Sequence, residues 1–117
     1  MSYHKITVIG YVGSEPEHQV TATGKDVAQF PLYVNERYKD KERTVRYKVK
    51  VWNDLSLIVS EHLLKGQLLM VEGKPSVDVW RSAEGKPRAR LVVTARELRF
   101  LGAKPSSAES NTSQQDE

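Results

Sequence analysis

One stretch of the sequence, residues 44–52, alternates between two kinds of side chain without a break. Successive side chains of an extended strand point to opposite faces, so a period of two separates these residues into two rows. Such a pattern predicts a β-strand with one buried face and one outward face. The inward row is Val45, Tyr47, Val49 and Val51, and the outward row is Arg46, Lys48, Lys50 and Trp52.

Further runs rich in β-branched and aromatic residues predict strands on both sides of this stretch. Pro31 lies inside one of them, so that strand should be an edge or carry a bulge there. Residues 36–43 are charged, with Tyr38 as their only apolar member, which predicts a long hairpin loop. The predicted strands are residues 5–12, the short run 18–23, then 27–35, 44–52, 67–73, 76–81 and 87–96, with Leu98, Phe100 and Leu101 closing the core.

A single helix is predicted after Trp52, from residue 53 or 54 to residue 64. Asp54 can cap its N-terminus, and Lys65 followed by Gly66 forms a good C-terminal stop. The apolar positions near helical spacing are Leu55, Ile58, Val59 and Leu63.

This order of elements predicts an all-β fold. About five main strands, with one α-helix between the third and the fourth, match a Greek-key barrel of the oligonucleotide-binding type, the OB fold. Periodicity alone also allows a different small barrel or a sandwich. Residues 103–117 contain no aromatic or branched apolar side chain, so we expect a disordered tail after a domain that spans residues 1–102.

Several functional classes are excluded by composition. The absence of cysteine excludes thiol catalysis, cysteine-bound zinc and disulfides. The three histidines, His4, His18 and His62, are far apart and show no metal-ligand spacing. No catalytic motif is present, and no apolar run approaches the ~18 residues of a membrane span. The sequence therefore predicts a cytoplasmic protein that is not an enzyme, holds no cofactor or metal and does not enter a membrane.

The charge distribution suggests a polyanionic partner. Residues 1–102 carry 17 basic and 12 acidic side chains, a net charge of +5. Arg46, Lys48 and Lys50 recur every second residue, about 6.5–7 Å apart, close to the phosphate repeat of an extended single strand. Trp52 adds a flat surface on which bases can stack. Two alternatives stay open, namely cations that only keep the strand soluble and a Trp52 buried near the helix.

Two other aromatic residues are candidates for stacking. Trp80 shares a face with Ser76 and Asp78 near a predicted hairpin tip at residues 83–86, and Arg88 and Arg90 share one face of the returning strand. These arginines could extend the basic track or simply pack against Trp80. Tyr38 lies among cations and carboxylates, which suits either a mobile clamp on a nucleic-acid strand or a ring packed back on the barrel.

Four ordered segments resemble the bacterial single-stranded DNA-binding proteins. They are residues 10–17, which are similar to that family's Gly-x-Leu-x-x-Asp-Pro-Glu, residues 27–35, the strand end Val51-Trp52, and residues 64–73. The resemblance covers most of residues 3–101. It implies an OB barrel, a homotetramer and single-stranded DNA as the partner. It also places stacking aromatics at Trp52, Trp80 and Tyr38 and a basic helix end at Lys65.

The sequence departs from the family pattern at several positions. Arg46 stands where some members have another stacking aromatic, so a phosphate contact would replace a stacking contact there. The family's linker usually ends in an acidic tip with a terminal Pro-Phe that recruits repair and replication enzymes, and this chain ends Gln-Gln-Asp-Glu. Replication and repair proteins stay possible partners, but this chain end puts recruitment by that route in doubt.

The predicted function is a sequence-independent coat for single-stranded DNA in replication, recombination and repair. One alternative is a primosome-type accessory protein on the same barrel, and another is a protein-interaction module with a basic face. The candidate DNA-binding residues are Tyr38, Arg46, Lys48, Lys50, Trp52, Lys65, Trp80, Arg88 and Arg90.

Overall fold

The computed structural model describes residues 1–102, so the predicted tail, residues 103–117, lies outside the described residues. The chain forms six strands and one helix. In chain order they are β1 (Ile6–Val12), β2 (Glu17–Val20), β3 (Asp26–Tyr38), β4 (Lys41–Trp52), α1 (Asp54–His62), β5 (Leu68–Arg81) and β6 (Pro87–Leu101).

The strands close into a barrel. Their order in the sheet is β1-β5-β6-β4-β3-β2, and an additional pairing of β1 with β3 closes the sheet on itself. The β4–β6 pair is parallel and the other pairs are antiparallel. With β2 as a short strand attached to β3, five main strands remain, and α1 lies between the third and the fourth. The predicted five-stranded OB barrel is therefore confirmed.

The barrel interior is filled by the inward row that the alternation of β4 predicted. Val49 and Val51 are fully buried and pack with residues from the other main strands and from α1. Leu98 packs against this core, whereas Phe100 is 42% exposed, so the prediction that Phe100 closes the core was wrong. Phe100 lies close to the end of β6, where the barrel wall stops covering it.

Pro31 lies where it does not interrupt a ladder. The β2 pairing with β3 ends at Gln29 and the β1 pairing begins at Leu32, so Pro31 occupies the gap between two partner strands. Its carbonyl accepts a hydrogen bond of 2.9 Å from the backbone N–H of Gly13. Carbonyl and nitrogen of one strand residue point to the same side, so the nitrogen that lacks a hydrogen also faces this gap. The predicted edge position of Pro31 is confirmed.

The prediction of a long loop at residues 36–43 was wrong. Strands β3 and β4 stay paired to the closing pair Tyr38–Lys41, and only Lys39 and Asp40 form the turn. Opposite charges face each other across this ladder, and these ion pairs stabilise the arm although its residues are polar. The pairs are Arg37 with Glu42 at 2.7 Å and Arg43 with Glu36 at 2.9 Å.

The region predicted as two separate strands, residues 67–73 and 76–81, is the single strand β5. A register shift between Glu72 and Gly73 bends it, and a side chain at Gly73 would lie 2.0 Å from the Thr94 carbonyl oxygen. Strand β6 likewise runs without interruption to Leu101. Beyond the barrel, β5 and β6 continue as a second arm that ends at the predicted hairpin tip.

The N-cap of helix α1 differs from the one that the sequence predicted. Asn53, at a φ of 60°, is the N-cap, so Asp54 is the first helical residue and not the cap that the sequence suggested. The helix ends at His62 rather than at residue 64. It buries Ser56 and Val59, while Ile58, one of the apolar residues near helical spacing, is 48% exposed. No helix within residues 1–102 is long and apolar enough to cross a bilayer.

Candidate nucleic-acid interface

The outward row of β4 forms the centre of the candidate interface. Arg46 is exposed, and Lys48 and Lys50 are half-buried, because strands on both sides flank them. Strand β3 places Tyr33, Pro31 and Gln29 opposite these three cations in register. Strand β6 contributes Val92 beside Lys48 and Thr94 beside Lys50. The predicted separation of the two faces of β4 is thus confirmed.

Three cations converge on one cleft of about 270 Å³. Arg46 and Lys48 enter it from β4, and Arg90 enters it from β6. Carboxylates of Glu15 and Glu17 line the same cleft, so its field is mixed rather than uniformly positive. The remaining lining residues are Ser14, Gln29, Phe30 and Pro31. Such a cleft can bind an anion that approaches the arginines.

Lys48 has a perturbed titration in this cleft. Partial burial lowers the pKa of its ammonium group below 10.5, and the positive charges of Lys50 and Arg90 lower it further. Asp78 and Glu17 act in the opposite direction and raise it. Burial first and the neighbouring cations second thus disfavour the charged form of Lys48, and a bound phosphate would favour it.

Trp80 lies on the β5–β6 arm beside the cleft. Its side chain is 40% exposed, and the Arg90 guanidinium lies over its ring at 4.6 Å from the centroid. Arg88 is its partner in register, and Asp78 is the partner of Arg90. The arm therefore joins an aromatic surface to the cleft through Arg90. The valines on its other face, Val77 and Val79, are exposed as well, so both faces of the arm are open.

Trp52 lies at the far end of the β4 row, next to the start of α1. It is half-buried, and its register partner on β3 is Val27, which is 3% exposed. The ring also borders a second cleft of about 350 Å³, together with Thr21, Thr23, Lys25 and Asn53. Trp52 is therefore outside the core cluster, with part of its surface open to a ligand.

Tyr38 occupies the tip of the β3–β4 arm. It is 72% exposed, and the ammonium of Lys39 lies 5.4 Å from its ring centroid. Because the arm's acidic and basic residues pair with each other, the tip offers an aromatic ring in a nearly neutral surrounding.

Lys65 lies apart from the cleft. It is exposed in the turn between α1 and β5, and the next residue, Gly66, donates a backbone hydrogen bond to Val12. The structure thus brings together Arg46, Lys48 and Arg90 in one cleft. Lys50 follows Lys48 in the outward row of β4, and the register pair Trp80–Arg88 lies two residues beyond the pair Asp78–Arg90 on the arm. It places Trp52, Tyr38 and Lys65 at three other points of the surface.

The sequence interpretation missed Tyr33, which the register places opposite Arg46. The Arg46 guanidinium lies 5.9 Å from the Tyr33 ring centroid. It also missed Glu15 and Glu17, the acidic side of the cleft. The alternation Gln29, Pro31, Tyr33 along β3 was the available signal for Tyr33, but its neighbours on β4 follow only from the pairing.

Metal binding finds no support in residues 1–102, where no three His, Cys, Asp or Glu side chains are grouped closely enough to share an ion.

Sequence relatives of this chain carry a common name. "Single-stranded DNA-binding protein 1" of Chlorobaculum tepidum is 32% identical over 111 residues, covering 88% of this chain and 67% of that protein. The protein of the same name from Synechocystis sp. is 30% identical over 111 residues, covering 93% of this chain and 92% of that protein.

A solved structure and a family model agree with these relatives. The structure titled "Plasmodium falciparum SSB complex with ssDNA" superposes with a TM-score of 0.74 at 27% identity, covering 87% of this chain and 97% of that chain. The model of the single-strand binding protein family matches residues 3–101, which is nearly the whole of the described barrel. On this match the chain belongs to the single-strand binding protein family.

Proposed function

We propose that this chain binds single-stranded DNA without reading its sequence. The observation that carries the proposal is the cleft in which Arg46, Lys48 and Arg90 converge beside the stacked ring of Trp80. Cations attract phosphates, and flat rings accept any base because every base has a π face. A surface that combines the two binds an unpaired strand, whose bases are free to stack.

The strand follows the outward row of β4. Its phosphates lie along Lys50, Lys48 and Arg46, which are about 6.5–7 Å apart, and then reach Arg90 and Arg88 on β6. Bases stack on Trp52 at one end of this row and on Trp80 at the other. Tyr38 on the β3–β4 arm and Lys65 behind α1 bind segments that continue beyond the cleft.

The role that follows is protection rather than catalysis. The chain covers unpaired strands in replication, recombination and repair, in the cytoplasm at the nucleoid. Several barrels act together as a homotetramer, because one strand that contacts several faces is held at a high effective concentration.

Tryptophan fluorescence tests the proposal directly. Titration with poly(dT) should quench the emission, and the affinity should fall steeply between about 50 and 200 mM salt, since bound cations release counterions from the strand. Poly(dA) should bind within about tenfold of poly(dT), because stacking tolerates every base. Unchanged emission at low salt would contradict the proposal and favour a protein-interaction module.

A further inference from the structure

We infer that Tyr33 is a further stacking residue for a nucleobase and that Arg46 acts as its movable cover. This inference deepens the proposed function and rests on it. The Tyr33 ring lies on the outer face of β3, because its neighbour Leu32 is fully buried in the core. It is opposite Arg46 in register, and Arg46 itself lines the basic cleft.

One edge of the ring packs against Gly13. A Cβ at this glycine would lie 2.0 Å from the Cε2 atom of Tyr33, so a side chain there would compete with the ring for the same space. A ring that is packed along one edge before binding loses less conformational freedom when a base stacks on it.

Arg46 covers the ring only weakly. Its guanidinium is 5.9 Å from the ring centroid and its side chain is exposed. A cation–π contact at an exposed site changes an equilibrium by about two- to fivefold. A stacked base changes affinity by about 5- to 150-fold. A base can therefore displace the guanidinium from Tyr33, and the guanidinium then turns to a phosphate.

A similar arrangement occurs on the β6 side of the cleft. Arg90 lies over the Trp80 ring at 4.6 Å and also lines the cleft. Each of the two arginines in the cleft therefore contacts an aromatic ring from an adjoining strand, Tyr33 on β3 and Trp80 on β5. This repeat indicates that Tyr33 serves the strand of DNA on the β3 side as Trp80 does on the β5–β6 side.

The first test compares Tyr33→Leu with Tyr33→Phe on two oligomers of equal length, oligothymidine and a fully abasic strand. Tyr33→Leu should weaken binding of oligothymidine by about 5- to 150-fold and leave binding of the abasic strand unchanged, because only the base contact is lost. Tyr33→Phe should retain the affinity. Tyr3→Leu is the matched control, since Tyr3 lies outside the cleft.

A second variant moves the ring without removing it. Gly13→Ala should reproduce the loss on oligothymidine, because its methyl group occupies the place of the Tyr33 ring edge. If the wild type binds oligothymidine and Tyr33→Leu binds it equally well, the inference is wrong and the proposed function stands. If the wild type binds neither oligomer, the proposed function itself fails.

A measurement on the unmodified protein removes any dependence on how well the variants fold. Irradiation of its complex with a strand that contains 5-iododeoxyuridine should crosslink stacked aromatic residues, and peptide mapping should find an adduct on Tyr33. Adducts on Trp52 and Trp80 without one on Tyr33 would overturn the inference.

Discussion

Lys48 is the residue whose surroundings in the cleft disfavour a positive charge. In the free protein, burial and the charges of Lys50 and Arg90 disfavour its charged form, so its folded pKa lies below the unfolded value of 10.5. Its contribution to stability is therefore full above pH 10.5 and is lost as the pH falls through the folded pKa. At neutral pH the protein holds a charge that an anion would stabilise.

This leads to a prediction about pH. A bound phosphate raises the pKa of Lys48, so affinity for DNA should fall as the pH rises through the folded pKa toward 10.5. Lys48→Arg should reduce this loss, because arginine stays charged throughout the range. The measurement is binding of oligo(dA) at constant salt, since adenine has no acidic proton that titrates there. Equal pH profiles for the two proteins would show that Lys48 is remote from the phosphates.

Among the elements, the β5–β6 arm lies outside the core of the barrel. None of the residues from Asp78 to Arg90 belongs to the core cluster. On the proposed function, the arm therefore supplies Trp80, Arg88 and Arg90 for binding and contributes no residue to the barrel core. The register pair Val77–Leu91 marks the point at which the arm leaves the barrel.

Shortening this arm should weaken binding while the barrel stays folded. Replacement of residues 78–90 by Asn-Gly, which suits a two-residue hairpin turn, should lower affinity for poly(dT) at least about tenfold. The salt dependence should decrease by about 1.4 in slope, for the loss of Arg88 and Arg90. Replacing only residues 82–86 by Asn-Gly is the control and should preserve binding. A melting temperature that falls in the first variant alone would mean that the arm supports the barrel.

The strands also show which parts of the fold could be predicted from the sequence. The two faces of β4 were predictable, because a strand with one buried face alternates apolar and charged side chains. The β3–β4 arm was not, since Glu36 and Arg37 resemble loop residues until the register pairs them with Arg43 and Glu42. Strand β5 was predicted as two strands, whereas Pro75, which lies between them, follows the last β1 pair at Gly73 and so removes no hydrogen bond between β1 and β5.

The candidate site shows the same limit. The cations of β4 could be predicted from the sequence, because they recur every second residue and so share one face of the strand. The sequence did not predict Tyr33, whose contact with Arg46 joins two strands and exists only through their register. Composition likewise gave a positive net charge but not the positions of Glu15 and Glu17 inside the cleft.

At the scale of the whole molecule, the proposed track on one barrel is short. Residues 1–102 carry a net charge of +5, and one OB fold contacts about 4–16 nucleotides. Strong binding to long strands therefore calls for several barrels on one strand.

The expected assembly is testable by light scattering, which should give four times the chain mass of 13.3 kDa. A strand long enough to reach several barrels should bind about 10²- to 10⁴-fold more tightly than an oligomer that covers one, because of effective concentration. A mass of two chains would favour the primosome-type alternative, and equal affinity for long and short strands would contradict shared binding.

The parallel pairing of β4 with β6 has a consequence for how the chain matures. Tyr47 pairs with Leu91, so the cleft receives Arg90 only after a distant part of the polypeptide has docked. Barrels dominated by such non-local contacts fold in milliseconds to seconds. A nascent chain that has left the ribosome only as far as α1 contains the lysines of β4 but lacks β6, the strand that completes their groove. The ability to bind DNA should therefore arise late, when the barrel closes, and nascent chains should not bind single-stranded DNA.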